Sequence, residues 1–368
     1  MLVHLITGTR PNLVKAVPVF KALTHIKKAT FSLIHTGQHF DHSMKEVFFK
    51  DLDISDSVIQ LDGRGLSHAS QTASIMCKYE NYIINQTPNL IIVFGDVDST
   101  LACSLVASKM NIPIAHVESG LRSFDRTMPE EINRVLTDQL AQLLFTTSPE
   151  AEENLLKEGK CQDQIFFVGN TMIDCLEFFK NKFDKSKIIK KLNVQTSYAL
   201  MTFHRPSNVN NAQNLYSLVN SIIALSKVIV SIFPVHPRTR KLLNSLSLTE
   251  KLENENNIIL TEPLGYIDFM RLQKKASVVI TDSGGIQEES TYFGIPCLTV
   301  RDSTERPITV TNGTNKIIGT SYSNIVDEVE LVLGKQYIGK RKIPDLWDGN
   351  SSERISNILF DYINKEKL

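Results

Sequence analysis

Short apolar runs and amphipathic stretches follow one another along this chain in regular succession. Runs rich in β-branched residues predict buried strands at Leu2–Thr7, Phe31–His35, Leu90–Gly95, Ile112–Val117, Leu143–Thr147 and Gln164–Val168. Helical spacing appears at Pro11–Leu23, with Pro near its first turn, and at Thr100–Met110, Glu130–Gln142, Pro149–Glu158 and Met172–Lys180. Asn181–Thr196, a polar Lys/Asp/Ser-rich stretch, is the predicted linker. The pattern then restarts with strands at Tyr198–Phe203, Val228–Val235, Ile258–Thr261, Ser277–Thr281 and Pro296–Val300. The final segment, Ser352–Asn364, sets Ile355, Ile358, Leu359, Tyr362 and Ile363 at helical spacing. Repeated strand-then-helix units predict parallel sheets covered on both faces. The predicted fold class is α/β, as two Rossmann-like doubly wound domains facing across a cleft.

Length agrees with that division, since 368 residues exceed what one core usually supports. Lys+Arg and Asp+Glu both total 40, so no global field favours nucleic acid or an anionic membrane. An anionic ligand would be held locally, by a few arginines and helix N-termini. No apolar run reaches the roughly 18 residues that span a bilayer, and Met1–Thr7 is short for a signal peptide. The five cysteines are scattered without a CxxC pair, which points away from zinc and disulfides and toward a reducing cytoplasm.

Candidate chemistry gathers where strands end, because ligands of open α/β sheets bind beyond the carboxyl ends of the strands. The richest stretch is His116–Arg134, which carries His116, Glu118, Arg122, Asp125, Arg126, Glu130, Glu131 and Arg134 between a strand and an amphipathic helix. Gly95-Asp96-Val97-Asp98-Ser99 closes the Leu90–Gly95 run. Asp98 or Ser99 reads equally as a helix N-cap, whereas Asp96 sits nearer the strand and pairs with Glu118 as two acids able to divide acid and base work. In the first turn, Arg10 and Lys15 stand where a helix N-terminus meets an anion, and also read as a turn cap and a solvated lysine. Thr281-Asp282-Ser283-Gly284-Gly285-Ile286-Gln287-Glu288-Glu289 opens a helix with exposed N–H groups suited to a phosphate. Glu288 and Glu289 read either as partners of the helix dipole or as a ribose contact. His204-Arg205 and His236-Pro237-Arg238 close two successive strands. Metal ligation is disfavoured: there is no HExxH, and the histidines are dispersed.

Taken in order, Gly8-Thr9-Arg10-Pro11, Thr36-Gly37-Gln38-His39, Gly95-Asp96, His116 to Arg122, Pro129 to Arg134, His204-Arg205, His236-Pro237-Arg238 and Thr281 to Glu289 resemble the non-hydrolysing UDP-N-acetylglucosamine 2-epimerases. The resemblance covers nearly the whole chain. It implies a fold like that of the GT-B glycosyltransferases, with residues 1–170 as an N-terminal domain carrying the catalytic acids. The C-terminal helix 352–366 would join that domain, and residues 181–350 would bind UDP. By the same resemblance Asp96, Glu118, Glu130 and His204 take catalytic positions. Arg10 and Lys15 match phosphate-proximal residues; Ser283, Gly284 and Gly285 match the diphosphate cradle. Glu289 matches the ribose contact and Phe269 the ring beside uracil, with Arg205, Asn133 and His236 as further members. The partners implied are a UDP-sugar and a second copy of the chain, as a homodimer, with no cofactor.

The chemistry so implied is elimination of UDP to a 2-acetamidoglucal and re-addition with C2 inverted. One carboxylate takes the C2 proton, a second acid delivers one to the opposite face, and arginines and N–H groups stabilise the departing diphosphate. The product would feed surface polysaccharide synthesis. Members activated by their own substrate carry Gln-His-Arg-Glu-Met, where this chain has Gln38-His39-Phe40-Asp41-His42-Ser43-Met44. Asn12 and the 37–41 pattern resemble relatives acting on UDP-2,3-diacetamido-2,3-dideoxyglucuronate, whereas Thr304-Glu305-Arg306-Pro307 has the ordinary epimerase form. UDP-N-acetylglucosamine is the favoured substrate. The rival classes are a GT-B glycosyltransferase, a hydrolysing epimerase and a non-catalytic nucleotide-sugar sensor.

Overall fold

The computed structural model describes residues 1–38, 42–55, 57–336 and 342–365. It divides into two compact units, Met1–Phe178 with Asp345–Leu368, and Phe179–Pro344.

Among the described residues, the first unit holds a seven-stranded parallel sheet. Its strands are β1 (Leu2–Thr7), β2 (Thr30–His35), β3 (Val58–Gln60), β4 (Leu90–Phe94), β5 (Ile114–Ser119), β6 (Leu143–Thr146) and β7 (Ile165–Phe167). They lie in the order β3-β2-β1-β4-β5-β6-β7. Leu90 to Phe94 are all fully buried, as a central parallel strand covered on both faces requires. The order reverses direction between β1 and β4, where Leu5 pairs with Ile92. A crevice opens beyond the carboxyl ends of strands at such a switch point. Arg10 opens the helix that follows β1, and Asp96 lies in the turn that leaves β4.

The second unit repeats the plan with six strands among the described residues. They are β8 (Tyr198–Thr202), β9 (Val230–Pro234), β10 (Ile258–Thr261), β11 (Val278–Thr281), β12 (Cys297–Thr299) and β13 (Asn315–Ile317), ordered β10-β9-β8-β11-β12-β13. Its switch point lies between β8 and β11, whose last residues, Thr202 and Thr281, pair in register and share a hydroxyl hydrogen bond of 2.6 Å. His204 and Asp282 follow those two strand ends.

The terminal helix Ser351–Lys365 buries Ile355, Leu359 and Ile363, one residue per turn, and packs on the helix Arg10–Leu23. Asp174 accepts hydrogen bonds from the backbone N–H groups of Ser351 and Ser352, which caps that helix from outside. Trp347, just before it, is buried and donates its indole N–H to the Thr147 carbonyl at 3.0 Å.

The predicted linker is not a linker throughout. The helix that starts at Thr171 runs on to Lys185, and Ile188–Lys191 adds a further turn. The reason is burial: Phe179, Phe183 and Ile188 are almost wholly enclosed, while the lysines that made the stretch read as polar lie largely on its outer side. Asp184 pairs with Arg271 at 2.7 Å and Lys274 at 3.1 Å, and Ser186 donates to Asp268, so the segment is tied to the helix Tyr266–Lys275. The helix His68–Ile83 and strands β3 and β13 were not predicted. That helix begins among Ser, His, Ala and Gln, and only its Gln71, Ile75, Tyr79 and Ile83 face inward.

Candidate active site

In the first unit the acids converge on the turn after β4. Gly95 has φ +59°, and a Cβ there would lie 3.0 Å from Lys15 Nζ and 3.7 Å from Glu118 Oε1. The turn is therefore packed directly on an ion pair, Lys15 Nζ to Glu118 Oε2 at 2.5 Å, both side chains about 4% exposed or less. Lys15 is thus neither solvated nor an isolated phosphate ligand; its charge is matched by Glu118. Glu118 itself has φ +71°, and the β5–β6 register slips between Val117 and Ser119. The strand's strict alternation ends there, so His116 and Glu118 do not share one face in the ordinary way.

Asp96, the next residue after Gly95, pairs with Arg134, which also holds Glu131 at 2.7 Å. Asn133 donates to the Asp96 carbonyl at 3.0 Å and to Asp98 Oδ1 at 3.2 Å. Glu130 lies half-buried in the first turn of the same helix, Pro129–Leu140. It precedes Asn133 by three residues and so shares the helix face that meets the Asp96 turn. Asp98 and Ser99 do not cap the helix Asp98–Lys109; Val97 is its N-cap. Asp98 instead accepts from His68 at 3.1 Å, and Ser99 donates to Gln38 at 2.7 Å.

Much of the charge in His116–Arg134 is committed inside the unit. Arg122 is paired with Glu158 at 2.6 Å and Asp138 at 2.7 Å. His116 faces Asp138 through Nδ1 at 2.6 Å and donates Nε2–H to the Gly95 carbonyl at 2.8 Å. Complete burial works to protonate Asp138, but His116 and Arg122 outweigh it and hold that carboxyl below its usual range. Glu131 accepts from the Ser123 and Phe124 N–H groups. These charges build the loop and seat the acids. Arg10 lies with its guanidinium 4.1 Å from the Phe48 ring centroid, and Asn12 ties the first loop to β4 by donating to the Phe94 carbonyl at 2.7 Å. His39, Phe40 and Asp41 lie outside the described residues.

In the second unit arginines and carboxylates interleave at the strand ends. Ser283 is the N-cap of the helix Gly284–Phe293 and makes no side-chain cap hydrogen bond; N–H groups at a helix N-terminus suit an anion. A Cβ on Gly284 would come 2.4 Å from Arg306 Nη1, so backbone and guanidinium meet closely. Arg306 binds Glu288 at 3.0 Å and Glu305 at 2.6 Å; Glu305 also holds Arg301 at 2.8 Å and Arg205 at 3.5 Å. Arg205, Arg301 and Arg306 thus gather on Glu305, with Glu288 as a further partner of Arg306. Burial, then the Arg205 and Arg306 charges, draw Arg301 below its ordinary pKa, with Glu305 acting against them. Glu288 is therefore an arginine partner, not a dipole partner, and neither it nor Glu289 lies in the helix's first turn. Glu289 is buried, as is Phe269 on the helix Tyr266–Lys275.

His204 Nδ1 lies 2.9 Å from Asp282 Oδ1, with the His236 ring centroid 5.6 Å away. His236 is the exposed N-cap of the helix Pro237–Ser245 and accepts from the Arg238 N–H at 3.2 Å. The sequence reading assigned no role to Arg301, Glu305, Arg306 or Asp282. The first three follow β12, the neighbour of β11, so the strand-end rule applied to Pro296–Val300 would have reached them.

Two doubly wound parallel sheets, each carrying charged groups at its switch point, define a GT-B-like α/β protein. The family profile described as UDP-N-acetylglucosamine 2-epimerase matches residues 21–360. A UDP-N-acetylglucosamine 2-epimerase of Methanococcus maripaludis is 41% identical over 97% of this chain and 98% of its own length. A UDP-2,3-diacetamido-2,3-dideoxy-D-glucuronate 2-epimerase of Pseudomonas aeruginosa is 38% identical over 98% and 99%. The crystal structure of the Methanocaldococcus jannaschii UDP-GlcNAc 2-epimerase in complex with UDP-GlcNAc and UDP matches with a TM-score of 0.91 and 39% identity, over 98% of this chain and 100% of that one. The chain belongs to the UDP-N-acetylglucosamine 2-epimerase family, and is an isomerase.

Proposed function

We propose that the protein interconverts UDP-N-acetylglucosamine and UDP-N-acetylmannosamine, eliminating UDP to a 2-acetamidoglucal and adding it back to the other face. The observation that carries this reading is the meeting of Asp96 and Glu118 at one turn of the first unit, beside the buried Lys15, with Glu130 on the helix whose Asn133 holds that turn. The C2 hydrogen of an N-acetylhexosamine is not adjacent to a carbonyl, so its removal needs a placed carboxylate base together with a leaving group that departs easily. Lys15 pairs with Glu118, and Arg134 with Asp96.

In the second unit the proposed role is to hold the diphosphate. Ser283, Gly284 and Gly285 present helix N–H groups to the diphosphate, and Arg205, Arg301 and Arg306 stabilise its charge as it leaves. His204 stands beside that cradle, Glu289 meets the ribose and Phe269 the uracil ring. Arg10 and His236 complete the proposed substrate contacts. Family membership supports the further proposal of a cytoplasmic homodimer that supplies a polysaccharide precursor.

A second substrate, UDP-2,3-diacetamido-2,3-dideoxyglucuronate, is favoured by Asn12, which bridges the first loop to the Phe94 carbonyl. Incubating purified protein with each sugar nucleotide, and following products by proton NMR, decides between them. UDP-N-acetylmannosamine is expected from the first, with kcat/KM at least about 10-fold above the second. The reverse preference establishes the diacetamido substrate; free N-acetylmannosamine with UDP establishes hydrolysis. Tight UDP binding without turnover of either sugar makes the protein a sensor.

A further inference from the structure

Asp282 is the first residue after β11 and is completely buried. Its carboxylate accepts from four groups of the segment that follows β8. Oδ1 faces His204 Nδ1 at 2.9 Å, and Oδ2 receives the His204 N–H at 3.0 Å, the Arg205 N–H at 2.9 Å and Asn208 Nδ2 at 3.1 Å. The Asn208 amide cannot reverse to offer its oxygen instead. Its Nδ2 also donates to the Val300 carbonyl at 3.2 Å, while its Oδ1 accepts from the Tyr322 hydroxyl at 3.1 Å. Arg205 Nε closes the ring by donating to the Asp282 carbonyl at 3.0 Å. Burial works to protonate Asp282, but His204 and these donors prevail and hold its carboxyl low, at about 2.

An ionised carboxylate only accepts, so Nδ1 of His204 must carry a proton. The ring is about two-fifths exposed although its partner is fully enclosed, and no described residue hydrogen-bonds Nε2. We propose that Asp282 is a positioning residue that fixes His204 as the Nδ1–H tautomer, turning the Nε2 lone pair toward the nucleotide sugar bound at the ends of β8 and β11. This rests on the epimerase reading given above and adds to it. Of the two neutral imidazoles, only the Nδ1–H form offers an acceptor at Nε2. The Nε2–H form would present a donor there and would leave Asp282 facing a lone pair.

The test is nitrogen NMR of the intact protein labelled with ¹⁵N-histidine at pH 8, with and without UDP, His204 being assigned by its loss in His204→Gln. The expected His204 pattern is a protonated Nδ1 and an unprotonated Nε2; an Nε2 that carries a proton overturns the proposal. Asp282→Asn offers an amide where four donors converge. In it the ring is expected to populate the Nε2–H form, and kcat to fall roughly 100-fold or more with KM within about 3-fold. Unchanged kcat in that variant also overturns the proposal. If Asp282→Asn does not fold, the wild-type spectrum decides alone. Wild-type turnover with the wrong tautomer sinks this inference only, whereas the right tautomer without epimerisation of any UDP-sugar sinks the functional reading.

Discussion

At the scale of single residues, the first unit concentrates its cost in one place. Glu118 takes a positive φ, a conformation that strains a residue with a side chain, and does so in a buried setting where its charge also loses water. Lys15 offsets the second cost by a direct ion pair. Removing either partner alone takes a matching charge from the other in a buried setting. Glu118→Leu or Lys15→Met is therefore expected to lower unfolding free energy by about 3–5 kcal/mol. The double variant should be less destabilised than the sum of the two singles. Denaturant unfolding of all four proteins measures this, and strict additivity would contradict the pairing.

Which residues of the site were legible in the sequence follows the same logic. Asp96, Glu118 and His204 stand out as candidates because each lies at or just beyond a strand end, and strand ends are visible as the limits of apolar runs. The partners that determine how those residues behave were not visible. Arg134 lies 38 residues from Asp96 and Asp282 lies 78 from His204, and no local pattern encodes such pairings. Lys15 read as solvated or phosphate-bound because charge alone does not reveal a buried counter-charge.

At the scale of elements, strands carried the strongest signal and polar helices the weakest. β1 and β10 match the predicted bounds because their apolar runs end abruptly in turn residues. The Asn181–Thr196 stretch misled because composition was weighed over spacing. Phe179 and Phe183 are four apart, Ile188 follows, and the polar residues among them lie largely outside. Phe183→Ala is expected to destabilise the fold by about 3–5 kcal/mol, the range for a large aromatic removed from a close-packed core. A substitution at exposed Lys185 should change it by no more than about 0.5 kcal/mol. Thermal or urea unfolding of the two variants distinguishes a packed helix from a linker, which would tolerate both.

At the scale of the whole molecule, the chain builds one sheet plan twice and gives the two copies opposite chemistry. The first switch point carries carboxylates held by buried cations; the second carries arginines held by buried carboxylates. In the reaction proposed above, proton removal at C2 falls to the acids and departure of the diphosphate to the arginines and helix N–H groups. The balance of 40 basic and 40 acidic residues conceals this separation of charge. The most direct measurement is to run the reaction in heavy water and read C2 of the recovered UDP-sugars by NMR. Deuterium should appear at C2 of both epimers with the nucleotide still attached, and at least about 100-fold more slowly in Asp96→Asn or Glu118→Gln. Epimerisation that leaves the C2 proton in place would show that no carboxylate exchanges it with solvent, and would contradict the account.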